Sequence, residues 1–111
     1  MTDSGPLMQA EFEGGRFLVR LSGEVDLSNV EGLEAQIEDS IADAQDVVID
    51  LTAIEFIDSR GLRLLNRVAS SVGARDGTLV VVAPPNCVAR SVLDMTGMSK
   101  ELTVRDSRRH P

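Results

Sequence analysis

Asp58 and Ser59 are the two residues of this chain whose types and setting invite chemistry. They lie in Phe56-Ile57-Asp58-Ser59-Arg60-Gly61-Leu62, between the apolar run Val47-Val48-Ile49 and a repeat of Leu62, Leu65, Val68, Ala69 and Val72. The run reads as a strand buried on both faces, and the repeat as one face of an amphipathic helix. The pair therefore stands at a helix start, where an oxygen has two uses. It can cap, accepting a hydrogen bond from an orphan N–H of the first turn for about 1 kcal/mol. A serine hydroxyl can also accept a phosphoryl group, which at a helix N-terminus meets free N–H groups and a favourable dipole. Local sequence favours the cap, because Asp and Ser are common at such positions. The choice rests on the remainder of the chain.

Composition removes several other chemistries. The only histidine is His110 and the only cysteine Cys87, so His/Cys metal sites and Ser–His or Cys–His catalysis lack their parts. Neither a metal nor a cofactor is expected. A lone cysteine forms no internal disulfide, which fits a cytoplasmic home. Cys87 reads as a small half-buried residue near a helix start, with a reactive thiol as the alternative. Eighteen acidic residues against eleven basic give a net charge of −7, against nucleic acid as a partner. The aromatics are Phe12, Phe17 and Phe56 alone, too few for base stacking. No apolar run approaches the roughly 20 residues of a membrane span. The opening MTDSGPLMQA has neither a basic region nor an apolar core, so no signal peptide is expected.

The elements that position Ser59 follow in order. Met8 to Glu13 and Arg16 to Ser22 alternate about Gly14-Gly15 and predict a hairpin. Gly23 to Asp26 reads as a loop, with Ser28 or Asn29 capping a helix over 28–44 whose apolar positions are Val30, Leu33, Ile37 and Ile41. Its other face carries Glu31, Glu34, Glu38, Asp39 and Asp43, a solvated surface. After the Ser59 helix, Asp76-Gly77 marks a turn and Thr78 to Ala83 a buried strand, stopped by Pro84-Pro85. Asn86 is placed to cap a helix through Val88, Ala89, Val92 and Leu93. Gly97 suits its left-handed end, and Leu102 to Val104 a last edge strand. Residues 1–6 and 106–111 are expected to be mobile, and the whole, 1–111, to be one domain. Helix-linked strands are normally parallel, so the fold class is α/β: a mixed sheet with an N-terminal antiparallel hairpin and about three to four helices. Ser59 then lies beyond a strand's C-terminal end, where such folds place ligand chemistry. Arg60, Arg63 and Arg67 form a stripe on the outward side of its helix. This is either a solvated face or a contact for an acidic partner.

Three stretches in one continuous order resemble the STAS domains of bacterial anti-sigma factor antagonists: LSGEVDLSNVEGL (21–33), VVIDLTAIEFIDSRGL (47–62) and VARSVLDMTGM (88–98). FIDSRGL is the most specific of them. The resemblance implies a STAS-like fold and a protein that binds an anti-sigma factor with a GHKL-type ATPase fold, itself a serine kinase. In that family the unphosphorylated antagonist sequesters this partner and frees a sigma factor. Phosphorylation of the serine after the Asp breaks the complex, and a PP2C-type phosphatase restores it. By the same resemblance Ser59 is the phosphoacceptor, Asp58 the preceding Asp and Asp26 the Asp of the first loop, with Gly61 and Leu62 completing the motif. Arg60 and Arg63 stand where small or hydroxylated residues are common, which points to a partner surface complementary to arginine. The implied partner surface is Asp26, Asp58, Ser59, Arg60, Gly61, Arg63 and Arg67, on a monomer or weak dimer. STAS-like scaffolds of stress-signalling complexes and accessory subunits of transporters are the alternatives within this resemblance. An aspartyl-phosphate receiver is disfavoured, because the only lysine is Lys100 and no acidic pair follows the first strand. No base, nucleophile and orienter come together for a small-molecule enzyme.

Overall fold

The computed structural model describes residues 7–107. The expected mobile lead-in, residues 1–6, and the tail from 108, including His110, lie outside the described residues. Strands β1 (Leu7–Glu13) and β2 (Arg16–Val25) form the expected antiparallel hairpin. Gly14 and Gly15 both take positive φ, 60° and 81°, which two residues without a Cβ adopt in succession at no steric cost. Phe12 and Phe17 face each other across the hairpin edge to face, centroids 6.4 Å apart.

Strand β2 runs on to Val25, through residues that the sequence reads as a loop. The reason is its parallel neighbour β3 (Asp46–Ile57), which is far longer than its apolar run Val47-Val48-Ile49 and supplies ladder partners as far as Ile57. Helix α1 (Val30–Ser40) is shorter than 28–44. Arg75, just past the end of the next helix, donates from Nη2 to the Ile41 carbonyl (2.6 Å) and from Nε to that of Ala44 (2.9 Å). The Ile41 carbonyl also takes the Ala44 amide (2.9 Å), so Arg75 ties down the turn that ends α1. Helix α2 (Ser59–Ala74), β4 (Thr78–Val82), α3 (Val88–Thr96), α4 (Met98–Glu101) and β5 (Val104–Arg105) complete the described chain. The sheet order is β1-β2-β3-β4-β5, parallel from β2 onward. This is the expected mixed α/β sheet.

Smaller departures have local causes. Cys87, not Asn86, occupies the α3 N-cap, and its side chain makes no capping bond. Gly97 ends α3 in the left-handed region at φ 82°, as its place predicts. Leu102 is buried in the core rather than paired in the last strand. Asp106, expected in the mobile tail, accepts a hydrogen bond from Arg90 Nη1 at 2.9 Å, and that bond raises the Arg90 pKa.

One core holds these pieces. Val19, Leu21, Val47, Ile49, Leu51 and Val81 on one sheet face join Leu33 and Ile37 of α1, Leu65, Val68 and Val72 of α2 and Leu93 of α3 in a single cluster. Leu18, Val48 and Val82, which point the other way, make a small second cluster. Val47-Val48-Ile49 is therefore buried on both faces, as the run predicts.

The turn between α2 and β4 leaves no space at Gly77. A Cβ there would overlap the Gln45 carbonyl and stand 2.8 Å from Val72 Cγ1. Backbone is a poor yielder, so Gly77→Ala should lower the urea unfolding free energy by about 2 kcal/mol. Gly73→Ala, at a helical position where a Cβ meets nothing within 4 Å, should not destabilise the protein.

Candidate functional site

Two bulges in β3 build the rim on which Ser59 stands. Between the pairs Arg20–Asp50 and Ser22–Ala53, β3 carries one residue more than β2, and again between Gly23–Ile54 and Glu24–Phe56. Each extra residue resets which side chain points inward. Beyond Leu51 the buried residues of β3 are Ile54 and Ile57, three apart instead of two. Asp50 braces the first bulge: its Oδ1 accepts from the Thr52 amide (2.9 Å) and the Thr52 hydroxyl (2.6 Å). Gly23, at φ 89°, lies beside the second. The two resets together restore the original parity, so Ile57 again turns inward directly before Asp58 and Ser59.

The first loop is then carried to the same place. Val25 is paired with Ile57, and the Asp58 amide continues the ladder by donating to the Val25 carbonyl at 3.2 Å. Asp26 follows Val25, so Asp26 and Asp58 share one end of the sheet. Asp26 is locked rather than loose. Its Oδ1 accepts from the Ser28 amide (2.9 Å) and hydroxyl (2.6 Å), while its own amide donates to Asn29 Oδ1 (3.1 Å). Asn29 holds the α1 N-cap position, yet its side chain serves this loop and not the helix: Nδ2 donates to the Glu24 carbonyl at 2.9 Å. Asn29 is thus at the cap position that the sequence suggests but makes no capping bond to the helix, and Ser28 is not at the cap.

At α2 the two candidate roles separate. Asp58 is the cap: its Oδ1 accepts from the amides of Arg60 (2.9 Å) and Gly61 (3.2 Å). The Asp58 carbonyl takes the Leu62 amide at 3.1 Å. Ser59 is the first residue of the helix, is exposed, and its hydroxyl has no hydrogen-bond partner among the described residues. Gly61 is buried and contributes close packing instead of a presented side chain. A Cβ there would stand 2.5 Å from Ile57 Cγ1 and 3.0 Å from Val25 Cγ1, so only glycine lets the helix start so near both strands.

The arginines do lie on one outward surface. Arg60, Arg63 and Arg67 are all exposed, and Arg63, Asn66, Arg67 and Ser70 line a shallow cleft of about 250 Å³. Arg67 is partly engaged, with Nη1 3.5 Å from Glu34 of α1. Arg60 and Arg63 have no side-chain partner among the described residues. Two large apolar residues that sequence reasoning did not single out also face solvent here: Leu27 in the first loop (63% exposed) and Phe56 at the end of β3 (47%). The two bulges cancel in parity, so Phe56 faces out as strict alternation from Ile49 would also place it, and only the stretch between them, with Ile54 inward, departs from that alternation. Among the described residues no three acidic, His or Cys groups converge on a metal position, and no helix is long and apolar enough to cross a membrane.

The division of labour between the two neighbours is measurable. Asp58→Ala should cost about 1 kcal/mol of stability, as for the loss of a helix cap. Ser59→Ala, which removes a hydroxyl bonded to nothing in the chain, should leave the melting temperature unchanged. Equal losses in thermal unfolding would assign the cap to both.

Comparison with known proteins gives this rim its context. Residues 8–110 match the STAS domain family model. The anti-sigma F factor antagonist of Paenibacillus polymyxa is 29% identical over 104 residues, covering 90% of this chain and 86% of the relative. The anti-sigma-F factor antagonist RsfB of Mycobacterium tuberculosis is 31% identical over 87 residues, covering 78% and 70%. The crystal structure of an anti-sigma factor antagonist from Mycobacterium paratuberculosis superposes with a TM-score of 0.83 at 30% identity, covering 96% of this chain and 91% of that one. The chain belongs to the STAS domain family, and the relatives that it resembles there are anti-sigma factor antagonists.

Proposed function

We propose that this protein is an anti-sigma factor antagonist controlled at Ser59. Its unphosphorylated form binds an anti-sigma factor that is also a GHKL-type serine kinase, and so releases a sigma factor. Phosphorylation of Ser59 by that partner ends the complex, and a PP2C-type phosphatase renews it. The protein works in the cytoplasm as a monomer or weak dimer, by binding and as a kinase substrate, without cofactor or catalysis of its own. The observation that carries this reading is the Ser59 hydroxyl, exposed at a rim and spared from capping by Asp58. Around it Asp26, Asp58, Arg60, Arg63 and Arg67 offer charge to the partner, over a backbone held close by Gly61.

The switch follows from electrostatics. A phosphoserine adds about −1.5 to −2 charges where a neutral hydroxyl stood. Docked, that dianion must leave water opposite groups that fitted a hydroxyl, at a cost of several kcal/mol. Each 1.4 kcal/mol is a factor of ten in Kd, so two or three such units turn a tight complex into a negligible one. The fold need not change for this to happen.

Phosphosite mapping of the protein from its native cells should find phosphate on Ser59. In pull-downs wild type should capture a GHKL-type protein, and Ser59→Glu, folded and with a near wild-type melting temperature, should not. An unmodified Ser59 with partners indifferent to the substitution would overturn the reading, in favour of a stress-signalling scaffold or a transporter accessory subunit. Global unfolding of Ser59→Glu would sink the view that the switch acts at the interface.

A further inference from the structure

The amides that a phosphate at a helix start would be expected to use are already taken. Asp58 Oδ1 holds those of Arg60 and Gly61, and the Asp58 carbonyl holds that of Leu62. Of the first four N–H groups of α2, this leaves the amide of Ser59 itself. A phosphoryl group on Ser59 would also sit beside the Asp58 carboxylate and at the same sheet end as Asp26. Its compensation has to come from a cation.

We infer that Arg63 is that cation, and that phosphoserine 59 is clamped within its own helix by the Arg63 guanidinium. This rests on the reading of Ser59 as the phosphorylated residue and concerns what the phosphate then does. Residues four apart share a helix face with their Cβ atoms about 5–6 Å apart. Helical side chains lean toward the N-terminus, so an arginine at position 63 is placed to reach back over the turn that bears Ser59. Arg63 is exposed and has no partner among the described residues to surrender. Arg60, one residue on, is rotated about 100° away from Ser59 and does not face it. Arg67 lies two turns on and is drawn toward Glu34 of α1. The guanidinium also offers a fork of donors matched to phosphate oxygens.

The clamp gives one modification two effects. It puts a dianion on the docking rim, and it withdraws Arg63, a cation otherwise free to meet an acidic partner group. The partner loses an attraction as it gains a repulsion.

The test installs phosphoserine at position 59 during synthesis, so that no kinase is needed, and follows the second phosphate ionisation by ³¹P NMR titration of the folded protein. The charged groups around the phosphate are Asp58, Arg60 and Arg63 on the α2 side and Asp26 from the first loop. Wild type should show a second pKa about half a unit below that of Arg63→Ala, because a facing cation favours the dianion. Arg60→Ala should match wild type, and Arg63→Lys should recover part of the shift. Circular dichroism of each variant confirms that the comparison is between folded proteins. Equal pKa values in wild type and Arg63→Ala, or an equal rise in Arg60→Ala, would overturn the clamp. Failure to find phosphate on Ser59 in native cells would instead strike the functional reading and leave the titration result standing.

Discussion

The Asp58 carboxylate decides what the rest of the rim is able to do. By accepting two amides of the first turn of α2 it satisfies the helix start, and it thereby leaves the next residue without a structural duty. A hydroxyl in that position is exposed by the helix and unconstrained by it. The arrangement depends in turn on Gly61, which lets the first turn settle onto Ile57 and Val25. Were the helix held farther from the strands, the Val25 carbonyl and the Asp58 amide would part, and the first loop would no longer be tied to the same place. A cap, a glycine and one ladder bond thus form a single mechanical unit.

Much of this fold can be read from residue type and spacing. The hairpin glycines, the apolar periods of α1 and α2 and the Asp76-Gly77 turn each carry their own signal, and each lies where that signal puts it. The long strand β3 is different. Period-two alternation holds only as far as Leu51; beyond that the inward residues are Ile54 and Ile57, because two bulges each insert a residue. A reading that expects strict alternation therefore stops at the apolar run and takes the partner strand's last residues for a loop. Ladder pairing with a bulged neighbour is a tertiary fact, and no local pattern in Gly23-Glu24-Val25 announces it.

The site divides in the same way. That Asp58 and Ser59 stand at a helix start is legible, because the apolar runs on either side bracket them. Which of the two does the capping is not, since both residue types are suited to it and the outcome turns on backbone geometry at a single junction. The capping of α1 fails as an inference for a related reason. Asn29 has the right chemistry and the right place, but the Glu24 carbonyl and the Asp26 amide compete for its side chain and win. Sequence supplies the candidate donors and acceptors; the fold chooses among them.

The neighbouring faces of α1 and α2 have a consequence for kinetics. Glu34 and Glu38 of α1 reach Arg67 and Ser71 of α2, so the acidic surface of one helix abuts the arginine stripe of the other. In a chain of net charge −7 that stripe is a local reversal of sign, and opposite charges lie side by side on two adjacent helices. An approaching protein with its own uneven charge experiences a torque as well as an attraction, within a Debye length of about 8 Å at physiological salt. Encounters with such a protein are then biased in orientation before any side chain touches.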